Sequence, residues 1–96
     1  MADTFQQYRR KRSPKATPLV AEMRLYVPGE DMTHIAVDPQ DAALGSPKTG
    51  DYVARNPEGP RPPNGGWDIS MCPRPPGTYK LVPKAYLHAN FEPFTG

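Results

Sequence analysis

Apolar residues come in short bursts along this chain, and their spacing changes from one stretch to the next. Leu19, Ala21, Met23 and Leu25 alternate with Val20, Glu22, Arg24 and Tyr26, which predicts a half-buried strand over 19–27. Pro28-Gly29-Glu30-Asp31 reads as a turn, and Met32–Val37 as a second short strand with Ile35 and Val37 on one face. One helical turn follows: Asp38 is placed to cap it, Pro39 suits its first position and Gly45 stops it. A third strand is expected over Asp51–Asn56 and a fourth over Gly66–Met71, with Trp67, Ile69 and Met71 facing one way. Thr78–Val82 makes a fifth. Beyond Pro83, the apolar positions Ala85, Tyr86, Leu87, Ala89, Phe91 and Phe94 predict a short helix and then an extended, docking tail. The pattern specifies an α+β, mostly β fold: a small antiparallel sheet or partly open barrel of about five short strands, with one or two short helical turns and Pro-rich loops at the sheet ends.

Composition refines this picture. The chain of 96 residues suffices for one domain and not for two. Only 36% of its residues are apolar, below the roughly 45–50% of ordinary globular chains, so the core should be thin. The 14 prolines are spread between apolar runs rather than repeated, so they read as stiff loops and not as a low-complexity chain. Net charge is +2, unevenly placed: Arg9, Arg10, Lys11, Arg12, Lys15 and Arg24 face only Asp3 and Glu22 in the first quarter of the chain. Residues 1–17 therefore read as a basic N-terminal arm, and 18–96 as a single small β-rich domain.

Candidate chemistry is sparse. Cys72 is alone and lies between Met71 and Pro73, which suits a strand-end residue better than a nucleophile with His34 or His88 as base. No Cys/His set has zinc spacing, no carboxylate pair is framed as acid and base, and Gly65-Gly66 precedes a strand as a turn would. No enzyme activity, metal or cofactor is expected. Without disulfide pairs, a leader-like apolar stretch or a membrane-length run of about 18 apolar residues, a reducing cytosol is the simplest compartment, with no membrane partner.

Binding remains. Arg9, Arg10, Lys11 and Arg12 beside Tyr8, with Lys15, carry the charge that nucleic-acid backbones attract, but they also suit a solvated or structural arm. Pro60-Arg61-Pro62-Pro63 recurs as Pro73-Arg74-Pro75-Pro76, either as polyproline II segments that an aromatic groove would take or as two stiff loops around Trp67. The aromatics Tyr26, Tyr52, Trp67, Tyr79, Tyr86, Phe91 and Phe94 exceed what a thin core needs, and Tyr and Trp are favoured at interfaces. Candidate binding residues are thus Arg9, Arg10, Lys11, Arg12, Lys15, Arg61, Trp67 and Arg74. A protein partner is the leading expectation and nucleic acid the alternative.

Three segments in order also carry a likeness. Tyr8-Arg9-Arg10-Lys11 leads into Val20-Ala21-Glu22-Met23, Gly50-Asp51-Tyr52-Val53 opens a mid-chain strand, and Lys80-Leu81-Val82-Pro83 runs to Asn90-Phe91-Glu92-Pro93-Phe94. This arrangement resembles the small phage and prophage proteins of the PGDYG type, with Thr49 standing where their leading proline would be. That resemblance implies a phage or prophage product in the bacterial cytoplasm and brings no catalytic residues; it supports an accessory protein, while small size, many prolines and a basic arm also suit a small virion component. Gly50, Asp51 and Tyr52 would serve the turn, its hydrogen bonding and the start of a core face.

Overall fold

A computed structural model describes residues 5–12, 17–57, 59–61, 65–73 and 77–94. Its strands are β1 (Gln6–Arg10), β2 (Leu19–Leu25), β3 (Ile35–Ala36), β4 (Tyr52–Arg55), β5 (Gly66–Trp67), β6 (Tyr79–Val82) and β7 (Phe91–Pro93). Two short helices, α1 (Pro39–Ala43) and α2 (Lys84–Asn90), and a 3-10 turn at Ile69–Met71 complete it.

Among the described residues the strands form one open sheet in the order β3-β6-β4-β2-β1-β7, with β5 alongside β2. Most pairings are antiparallel; β2–β5 and β3–β6 are parallel. The sheet is larger than the roughly five strands expected, for two reasons. The segment read as a basic arm supplies β1, paired to β2 through Tyr8↔Ala21 and to β7 through Tyr8↔Pro93. The tail supplies β7, whose continuation Phe94 N–H donates to the Gln7 carbonyl at 2.9 Å.

β2 is the central strand and is buried on both faces, not half-buried as its alternation predicts. On one face Ala21 and Met23 join Tyr8, Ala54, Met71, Val82, Leu87 and Phe91 in a first core. The other face carries a second core of Tyr26, Ile35, Val53 and Leu81. There Glu22 and Arg24 are also buried, which is tolerable only because each has a charged partner. Arg55 Nε donates to Glu22 Oε1 at 2.9 Å, and Arg24 reaches both oxygens of Glu30. Phe5 lies against Arg55 at 4.1 Å and Arg24 at 5.5 Å, with Tyr79 beside it. The arginine stems and aromatic rings thus continue the apolar layer where it runs out of aliphatic residues.

Two further expectations are corrected locally. The fourth strand ends after Trp67, because the Asp68 side chain accepts from the backbone and hydroxyl of Ser70 and bends the chain into the 3-10 turn. Ile69 consequently points outward, 68% exposed, while Met71 points in. In α1, Asp38 precedes the first helical residue in extended geometry but makes no side-chain cap bond. The short helix after Pro83 and the extended tail lie where the spacing placed them.

Candidate functional site

The Gly50–Val53 segment is a hydrogen-bonded junction in the fold. Gly50 has φ +99°, a backbone conformation that costs glycine nothing. It delivers Asp51 into the interior, where the side chain has no solvent exposure. One carboxylate oxygen accepts from Ser46 Oγ (2.9 Å) and Lys48 N–H (3.0 Å), and the other from Lys84 N–H (3.1 Å) at the start of α2. The Ser46 N–H in turn donates to the Asp41 carbonyl at 3.0 Å. One buried carboxylate therefore fixes the end of α1 relative to the beginning of α2.

Between those elements lies a pocket of about 170 Å³. Met71, Leu81 and Val82 give it an apolar floor, Asp38, Gln40 and Asp41 line its α1 side, and Lys80, Pro83 and Tyr86 complete it. The Tyr86 ring stands 41% exposed, 6.3 Å from that of Phe91. None of these positions is prominent in the sequence except Tyr86, as one of many aromatics. Asp38 reads there as a helix cap and Lys80 as an ordinary strand residue. Only a sheet that sets β6 beside α1 and α2 brings them together.

The basic candidates are distributed otherwise. Arg9 forms a 2.8 Å ion pair with Glu92 on the neighbouring strand. Arg10 donates to Asp68 at 2.7 Å and Ser70 at 3.2 Å, with its guanidinium 4.7 Å from the centre of the Phe91 ring. Burial alone would lower the Arg10 pKa, but hydrogen bonds to Asp68 and Tyr86 outweigh it and hold the pKa above its ordinary value. Lys11 Nζ donates to the His88 carbonyl at 2.7 Å, at the end of α2, and Arg12 is exposed in the following turn. Arg61 is exposed and Trp67 half-buried in its pairing with Val20. Lys15 and Arg74 lie outside the described residues, as do the later prolines of both Pro-Arg-Pro-Pro segments.

Cys72 Sγ lies 3.4 Å from the Asp68 carbonyl as a donor, whereas His88 stands against Tyr52 with ring centres 6.4 Å apart. Tyr8 packs edge-on against Tyr52 at 6.0 Å; burial, then the neighbouring Tyr52, push its hydroxyl pKa up. Among the described residues no group of three or more His, Cys, Asp or Glu side chains is gathered to hold a metal, and no helix is long and apolar enough to cross a membrane.

No family model matches the chain, and comparison with curated proteins and with solved structures likewise gives no match.

Proposed function

We propose that this chain is a phage or prophage accessory protein of the PGDYG type, acting without catalysis in the bacterial cytoplasm by binding a protein of host or phage. The observation that carries the reading is how the charges are used. The β1 arginines that would otherwise contact phosphates are engaged inside the molecule, Arg9 with Glu92 and Arg10 with Asp68. Beside the exposed Lys11, Arg12 and Arg61, the outward features include Tyr86 at a part-polar pocket and the exposed side chains of Leu25, Leu44 and Ile69, the kind of mixed aromatic and apolar surface that protein partners bury.

The motif residues support the same division of labour. Gly50, Asp51 and Phe91 serve the turn, the buried hydrogen bonds and the core, which leaves binding to side chains outside the motif.

The test is affinity capture from host lysate with the full chain, after nuclease treatment, followed by rebinding of the retained protein in purified form. A stoichiometric complex is expected; retention of nothing above background overturns the proposal. A gel shift at two salt concentrations, repeated with Lys11→Ala plus Arg12→Ala, addresses the nucleic-acid alternative. A salt-sensitive shift abolished by that variant would transfer the assignment to nucleic acid. Finding the chain in purified particles would transfer it to the virion.

A further inference from the structure

The described carboxylates divide sharply by whether another group of the protein partners them. Glu22, Glu30, Asp68 and Glu92 are paired with arginines, while Asp31 and Asp51 accept from hydroxyl and backbone donors. Asp38 and Asp41 have no side-chain hydrogen bond or ion pair among the described residues. Both line the same pocket.

We infer that this pocket takes an arginine side chain presented by the protein partner, an inference that rests on the protein-binding reading above and names its chemistry. Size is the first argument. A volume of about 170 Å³ is below the roughly 300–1,000 Å³ of sites for whole small molecules, and suits a single long side chain. The lining is the second. Met71 and Val82, 3% and 1% exposed, offer an apolar bed for a methylene stem. Two aspartates within one helical turn line it, and a guanidinium offers such a pair a planar, multi-donor head that an ammonium does not.

The aromatic wall is the third argument, since guanidinium groups stack on rings and Tyr86 presents one. The molecule already uses this combination beside the pocket, where Arg10 is paired with Asp68 and lies over Phe91. Lys80 opposes a cation, but two carboxylates against one ammonium leave the lining net negative.

The experiment is NMR titration of the full chain with N-acetyl-arginine methylamide, with the neutral N-acetyl-citrulline methylamide as control. Saturable shifts at Tyr86, Met71 and Lys80 are expected, with citrulline at least fivefold weaker. Asp38→Asn plus Asp41→Asn should weaken arginine binding at least fivefold without unfolding the chain, because neither side chain bonds to the fold. Lys80→Gln should tighten it a few-fold. Equal binding of citrulline, unchanged binding by the double variant, or weaker binding by Lys80→Gln overturns the inference. If these fail while lysate capture still yields a purified complex, the protein-binding reading stands and only the arginine pocket falls.

Discussion

The carboxylate of Asp51 shows what a single residue can hold. It is fully buried and collects three donors from two parts of the chain, so its removal would leave the Lys48 and Lys84 N–H groups and the Ser46 hydroxyl without an acceptor. Leaving buried donors unmet costs about 1–3 kcal/mol each, reduced where water can enter. Asp51→Ala is expected to lower unfolding stability by about 3 kcal/mol, and Asp51→Asn by about 1–2 kcal/mol because it keeps one acceptor oxygen. Urea titrations of both variants measure this; an Asp51→Ala chain as stable as the wild type would refute the role. Tyr86 is the contrasting residue. Its ring is 41% exposed on one side and lies against buried Phe91 on the other, so its removal should register in binding and, more modestly than that of Phe91, in stability.

At the scale of elements, β2 and the turn behind it depend on paired charges. Arg24 donates to both oxygens of Glu30 at 3.0 and 2.7 Å, and the Val27 N–H donates to Glu30 as well, closing the turn back onto the strand. The Arg24 hydrogen bond, against an opposing effect of burial, lowers the Glu30 pKa below its ordinary 4.5. A carboxylate depressed in the folded state stabilises the fold above its unfolded-state value, and that contribution is lost as pH falls through the lower folded-state value. Wild type should therefore exceed Glu30→Gln in stability at neutral pH, with the gap narrowing as pH drops below 4.5. Thermal denaturation across that range checks it. A gap that stays constant or widens on acidification would mean the pair does not act as described. The β1–β7 pairing works alongside it, because Arg9–Glu92 crosses the two strands and Arg10 reaches from β1 to Asp68.

For the whole molecule, the consequence is that the first and last described strands meet at one edge of the sheet. β1 and β7 pair with each other, and Tyr8 and Phe91 sit in the same core as Met23 and Leu87. A Cα radius of gyration of 13.0 Å is close to the about 12.5 Å expected of a folded chain this long. Phe91 is 2% exposed, so Phe91→Ala should cost about 3–5 kcal/mol, a large part of a domain's about 5–15 kcal/mol. Trp67 lies across β2 from β7, and its fluorescence should nevertheless lose the same stability as the far-ultraviolet circular dichroism. Separate transitions for the two probes would show that β7 is an independent appendage.

What the sequence determined by itself is local. Alternation from Leu19 to Leu25, the Asp38-Pro39 to Gly45 bracket and the spacing after Pro83 mark their elements, because period and backbone preference act within a few residues. Local pattern misled where a side chain competed with the backbone, as Asp68 does in ending β5. It was silent about the basic segment at 6–10, whose strand exists only because β2 and β7 supply its hydrogen bonds from far along the chain. The candidate site is of the second kind. Asp38, Asp41, Lys80 and Tyr86 share a pocket because Asp51 binds two distant backbone segments and β6 enters the sheet beside them. Which carboxylates are left without a protein partner depends on every donor's final position, and tertiary structure alone decides that.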